Sequence, residues 1–262
     1  MPKGKIALVL GLLFVALNII ILIAGLIFLG IRMNRKEAVV LKSASPEAES
    51  NLYAYLGERI TYDIRFGGFR LGSSRFNYLA KAEINGRPAL LMTLDTRLAR
   101  FSDTEKIYGD PVTLLPLRIE RYIINWFSRE HIIENYDQSA HSVTIKKTKG
   151  KRAEAPLVIK KSGPIQNAIL LPHYVRRLPV LTLGTVFTVN LPNREFKIEL
   201  TSIDEVVVPA GTFKAFHCES IPRQIDIWIT ADERRIPVKI QGSGIFGYLM
   251  VMKEYVPPQG AS

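Results

Sequence analysis

Arg59-Ile60-Thr61-Tyr62-Asp63-Ile64-Arg65-Phe66, followed by Gly67-Gly68, is the stretch that sets the fold class. Polar and apolar side chains alternate, so Ile60, Tyr62 and Ile64 share one face of an extended segment. The two glycines accept the positive φ of a tight turn, and Arg70 to Leu79 continues in the extended style, so the whole reads as a β-hairpin. The same grammar recurs downstream. A turn at Glu83-Ile84-Asn85-Gly86-Arg87 leads into a strand at Pro88–Arg97. Leu117–Phe127 and Ser128–Tyr136 read as a second pair, and Ser142–Lys147 is short and alternating. Phe187–Leu191 and Phe196–Ile203 flank the turn-like Pro192-Asn193-Arg194. Val206–Val208, Phe213–Ile221, Gln224–Thr230, Ile236–Gln241 and Tyr248–Tyr255 complete the set, with Pro209-Ala210-Gly211-Thr212 as a tight connection. Short strands spaced in this way predict a mainly β body: a curved antiparallel sheet, an open β-barrel or a sandwich.

One stretch breaks the period. Pro164 to Arg177 carries apolar residues at Ile165, Ile169 and Leu170 behind a proline suited to a first helical turn. It predicts one short helix, interrupted at Pro172.

Upstream of the β signal the chain changes character. From Ile6 to Ile31 there is no charged residue over 26 positions, with one amide, Asn18. About 20 apolar residues cross a hydrocarbon core of roughly 30 Å as a helix. A cleaved signal peptide has an apolar region of only about 7–15 residues and ends at a small-x-small site. This run is longer and ends without one, so it predicts an uncleaved transmembrane helix at 6–31 behind a short basic N-terminus at 1–5. Residues 32–50 read as a linker, 51–256 as one globular domain and 257–262 as a tail. Lys3 and Lys5 before the span nearly balance Arg32, Arg35 and Lys36 after it, so charge leaves the orientation open.

The formal charge is +11, and residues 51–262 hold 29 basic against 21 acidic side chains, or +8. The basic residues are interspersed with acids except at Lys146-Lys147-Thr148-Lys149-Gly150-Lys151-Arg152, which reads as a solvated hairpin tip rather than a nucleic-acid site. The single cysteine, Cys218, excludes an intramolecular disulfide.

Searches for chemistry find little. The four histidines, His131, His141, His173 and His217, have no metal-ligand spacing, and neighbours in His217-Cys218-Glu219 point to opposite faces of a strand, so no metal site is expected. Cys218 reads as a small buried residue rather than a nucleophile. Gly242-Ser243-Gly244-Ile245-Phe246-Gly247 matches a dinucleotide-binding pattern, but a strand-like segment follows where a helix is required. Asp103 with Glu105, and Asp226 with Asp232, are the paired carboxylates, and both pairs read as solvated. No cofactor is expected. The aromatics carry more. Tyr122, Trp126 and Phe127 come from one strand region and Phe213, Phe216 and Trp228 from another, so a curved sheet that brings them together would line either a core or a cavity for an apolar ligand.

Several blocks resemble the domain-of-unknown-function 3108 family. They are Gly57-Glu58-Arg59-Ile60-Thr61-Tyr62-Asp63-Ile64 with Gly72, the segment holding Tyr174, Arg176 and Leu183-Gly184, Val208-Pro209-Ala210-Gly211-Thr212-Phe213-Lys214-Ala215, and Ile227 to Ile240. The likeness covers roughly residues 53–256. It implies a bacterial exported protein on a curved antiparallel sheet with a periplasmic body, and it brings no established catalytic residues. The long anchor departs from the ordinary signal sequence that the family implies. The implied shape is loosely similar to periplasmic lipoprotein carriers, an analogy of fold alone. The expectation is a non-catalytic envelope protein, single-pass in the inner membrane, that binds an apolar ligand such as a lipid or lipidated partner. A structural or protein-interaction module, and a hydrolase acting on an envelope component, are the alternatives. No nucleic-acid partner is expected.

Overall fold

The computed structural model describes residues 53–242 and 247–259. The expected anchor at 6–31, the basic segment before it, the linker at 32–50 and the end of the tail lie outside the described residues. Among the described residues no helix is long and apolar enough to cross a membrane.

The alternating segments form β1 (Arg59–Phe66), β2 (Phe69–Ile84), β3 (Arg87–Leu98), β4 (Phe101–Gly109), β5 (Pro116–Ile124), β6 (Arg129–Asp137), β7 (Ser142–Lys149), β8 (Arg152–Ala153) and β9 (Leu157–Lys160). After the helix α1 (Leu171–Arg176) come β10 (Val186–Asn190), β11 (Glu195–Val208), β12 (Gly211–Ile221), β13 (Ile225–Thr230), β14 (Pro237–Gly242) and β15 (Leu249–Val256). They make one open sheet in the order β10-β11-β12-β13-β14-β15-β1-β2-β3-β4-β5-β6-β7-β8, with β9 beside β7, and its pairings are antiparallel. Two meanders are thus zipped together where β1 meets β15, from Arg59 opposite Val256 to Arg65 opposite Leu249.

The turns explain the register. Gly67 and Gly68 both have positive φ, as do Asn85 and Gly86, and each pair joins directly opposed strand ends in the manner of a type I′ turn. Gly72 serves a close approach instead: a Cβ there would lie 2.0 Å from the Arg97 carbonyl oxygen.

The sheet curls around its own connection. Phe76, Leu90 and Ile107 from the first meander share one core with Ile198, Leu200 and Ile227 from the second, and Leu170, Leu171 and Val175 of the α1 segment fill the space between them. Residues from such distant strands meet only if one face is concave. A bulge between Leu200 and Ser202 then changes which side chains of β11 point inward. Beyond it, Val206 and Val208 turn to a second core with Ala215, Trp228, Val238 and Val251. The tip of that long hairpin is tied down where the Ala210 N–H donates to the Met252 carbonyl at 3.1 Å.

Four expectations need correction. β4 is a full strand where the sequence reading had none, because its inward positions alternate Phe101, Asp103, Glu105 and Ile107, and the acids mask the apolar period. Val206–Val208 is the end of β11 rather than a separate strand. Trp126 and Phe127 lie in the β5–β6 turn, not on a strand. Finally, the helix covers only Leu171–Arg176. Pro172 sits in its first turn, where a missing N–H costs nothing, so proline starts this helix instead of interrupting it.

Candidate functional site

The α1 segment enters the concave side as a plug, and most of its buried polar groups find partners, Arg176 Nε excepted. Arg176 and Glu58 are 3% and 1% exposed. The guanidinium donates to both oxygens of Glu58 at 2.6 and 3.1 Å and to the Arg234 carbonyl at 2.8 Å. Tyr255 donates to Glu58 at 2.9 Å, and the Tyr55 ring covers the guanidinium at 4.1 Å. His173 stacks on Phe76 at 3.9 Å and hydrogen-bonds the Tyr78 hydroxyl at 2.8 Å through Nδ1. Burial, reinforced by Arg176 and Arg177, holds its imidazole well below the usual range, so it is neutral. Gln138 grips the backbone of Ile165 from both sides, accepting from its N–H and donating to its carbonyl, each at 2.9 Å. The concave side, where the sequence reading places an apolar ligand, is therefore occupied by the chain itself.

Asp103 and Glu105, expected to be solvated, are each 4% exposed. They share Arg121 of β5: Asp103 takes it through Nε at 2.9 Å and through Nη2, and Glu105 lies 3.1 Å from Nε. Glu134 completes the group and accepts from Tyr136 at 2.5 Å. Burial, only partly offset by Arg121 and increased by Asp103 and Glu134, raises Glu105 to about 8. Ile64, Leu98, Phe101 and Ile123 form an apolar layer just beyond this group, toward the hairpin turns. Cys218 is 1% exposed, and burial pushes its thiol up to about 12.

Beyond that layer lies the end of the sheet where the β1–β2, β3–β4, β5–β6 and β7–β8 turns stand side by side. Strands are spaced by about 4.8 Å, so successive tips are roughly 10 Å apart. Phe69 is 77% exposed, Trp126 55% and Phe127 81%. The β5–β6 tip is ordered from within: Asn125 Oδ1 accepts from the Phe127 N–H at 2.9 Å and the Ser128 N–H at 2.8 Å. Arg100 of the β3–β4 tip lies over the Trp126 ring at 4.7 Å, joining two tips. Residues 64–71, 97–101, 123–130 and 149–152 carry Arg65, Arg70, Arg97, Arg100, Arg129, Lys149, Lys151 and Arg152 against one acid, Glu130. That acid is engaged by Lys147 at 2.9 Å and Lys149 at 3.4 Å, and Asp63, just behind the first tip, takes Arg70 at 2.7 Å and lies 4.0 Å from Arg65. The run Lys146 to Arg152 is, as expected, a solvent-facing hairpin tip, and it contributes to this rim.

The six aromatic candidates divide between places. Trp126 and Phe127 project from the rim, and Tyr122 lies just behind them, stacked on His131 at 4.3 Å. Phe213 and Trp228 belong to the second core. Phe216 points the opposite way along β12 and packs against the first core. No single cavity takes all six. The reading missed Phe69, whose only signal is an aromatic directly after a Gly-Gly turn.

No curated protein matches this chain. Solved structures that align with it at low similarity include the following three. A β-barrel-like protein of domain of unknown function DUF1849 from Brucella abortus is 8% identical, with a TM-score of 0.47 over 78% of this chain and 99% of that one. A protein from Bacteroides fragilis with a YmcC-like fold, described as exported, is 11% identical, with a TM-score of 0.33 over 77% and 96%. A protein from Parabacteroides distasonis described as a lipoprotein is 8% identical, with a TM-score of 0.29 over 78% and 96%. The model of the family of proteins of unknown function DUF3108 matches residues 61–253, which run from within β1 into β15 and include the plug with Arg176, and the chain belongs to that family.

Proposed function

We propose that this protein is a non-catalytic module of the bacterial cell envelope whose body meets an anionic lipid surface through the hairpin rim. The reading keeps the anchored, inner-membrane and periplasmic setting expected from the sequence, and moves the lipid contact from the concave side to the tips. One observation carries it: Phe69, Trp126 and Phe127 stand exposed on alternate tips at one end of the sheet, amid eight basic side chains, of which Arg65 and Arg70 face Asp63 and Lys149 faces Glu130. Aromatic rings favour the headgroup level of a bilayer, and each Lys or Arg near an anionic surface adds about 1 kcal/mol of attraction. Ordering of the Trp126–Phe127 turn by Asn125 lowers the entropy lost on docking.

Residues 51–262 should sediment with phosphatidylglycerol-containing vesicles and not with phosphatidylcholine alone, with binding that falls as salt rises. Trp126 emission should shift to the blue on binding, while the buried Trp228 stays constant. The double variant Trp126→Ser/Phe127→Ser should lose most of the binding. Equal binding to both vesicle types, or none to either, overturns the reading.

A further inference from the structure

The outer face of the β12–β13 hairpin holds a second constellation, unrelated to the rim. Glu219 and Asp226 are directly opposed across the two strands, and the next pair on that face is His217 with Trp228. His217 and Asp226 are 8% and 1% exposed. The imidazole is held on three sides. Trp228 stacks on it at 4.2 Å with the rings 8° apart. Asp204 Oδ2 and Ser202 Oγ each lie 3.4 Å from Nδ1. Asp204 is itself fixed, accepting from the Trp228 indole at 3.0 Å and from Ser202 at 2.7 Å. A carboxylate at Nδ1 favours the tautomer with its proton there, which leaves the Nε2 lone pair on the other side.

That lone pair faces Asp226. Nε2 and Asp226 Oδ1 are 3.7 Å apart, and each is buried without a hydrogen-bond partner. Two buried acceptors turned toward each other repel unless a cation lies between them. Glu219 completes the set: its Oε1 lies 3.7 Å from Nδ1, and one ligand atom from each of His217, Glu219 and Asp226 can be chosen so that all lie within 4.8 Å of one another. Around a tetrahedral zinc with bonds of about 2.0–2.2 Å, ligand atoms sit about 3.3 Å apart, so closure requires movements of only a few tenths of an ångström to about an ångström and a half. Arg223, 3.3 Å from Asp226 Oδ2 and 3.9 Å from Glu219, has a side chain 61% exposed and can swing into solvent.

We propose that His217, Glu219 and Asp226 form a binding site for a first-row divalent transition cation, with Asp204 orienting the imidazole from behind. One imidazole and two carboxylates match the borderline ligand preference of zinc and leave a fourth position for water. The pairing of a carboxylate with the far nitrogen of a ligating histidine is the usual support for such a site. In sequence the set is hidden, because neighbours in His217-Cys218-Glu219 point to opposite faces. Cys218 does face away, but positions i and i+2 share a face, and Asp226 arrives only through the hairpin register.

The test uses the full chain in mild detergent, stripped with chelator and titrated with zinc by calorimetry and by metal analysis after dialysis. One zinc per chain is expected. Asp226→Asn and His217→Gln should each weaken binding at least 10-fold, and Asp204→Asn should weaken it about 10-fold through the lost orientation. Arg223→Ala, a change to an exposed side chain, should leave the fold intact and tighten binding by removing a competing cation. Melting curves in chelator establish that each variant is folded. Zinc that fails to bind the wild-type chain, or that binds the His217→Gln and Asp226→Asn variants as well as the wild type, overturns the proposal. So does a wild-type chain in which His217 is found doubly protonated at neutral pH, since an imidazolium–Asp226 ion pair would then fill the role given to the metal.

Discussion

The plug and the rim are opposite solutions to one problem, what to do with a side chain in the wrong solvent. Around α1 charged groups are buried, and Arg176 meets Glu58, the Arg234 carbonyl and the Tyr55 ring. At the tips apolar rings are exposed, and Phe69 and Phe127 are left uncovered. A buried charge has to be answered within the chain, because its desolvation costs several kcal/mol. An exposed ring costs the fold little, so it is free to serve a partner. Structural locking is concentrated in the first region, and the second is the surface proposed for interaction.

The largest expected effect breaks the plug. Arg176→Met leaves Glu58 as an uncompensated buried charge and should cost about 3–5 kcal/mol in urea unfolding. Adding Glu58→Leu should recover part of that loss, because removing both partners of a buried pair is far cheaper than removing one. If the single variant were as stable as the wild type, the lock would not be holding the plug.

A smaller effect sharpens the comparison from inside. Glu105 has a folded pKa raised to about 8, above its unfolded value, so the folded state holds its proton more tightly. The resulting stability is fully present below the unfolded carboxylate range and is lost as pH rises toward 8. His173, held neutral, contributes with the opposite sign below its unfolded value. Glu105→Gln should therefore flatten the decline in unfolding free energy between about pH 5 and 8 without changing the His173 contribution. An unchanged slope would show that Glu105 is ionised in the fold.

The smallest effect on stability comes from the rim. Trp126→Ser/Phe127→Ser should shift unfolding by no more than about 0.5 kcal/mol, as surface substitutions do, while vesicle binding falls sharply. A large loss of stability would mean that the tips are part of the core and not a docking surface.

The sequence determined what depends on near neighbours. Period-two alternation in Arg59–Phe66, the Gly67-Gly68 and Asn85-Gly86 turns and the tight Pro209-Ala210 connection are local, and local sterics decide them whatever lies beyond. The β class, most strands and the solvent-facing Lys146–Arg152 tip were legible for that reason. What depends on curvature and register was not. β4 was hidden because Asp103 and Glu105 face inward, a placement that makes sense only with Arg121 beside them on β5. Glu58, Arg176 and Arg234 lie far apart in the chain and meet because the sheet wraps around the plug. Asp226 reaches His217 because the β12–β13 pairing sets Glu219 opposite it. A slip of one residue would send each of those side chains to the other face, so only the tertiary structure, through the pairing of strands, decided which polar groups meet and which apolar ones stay exposed.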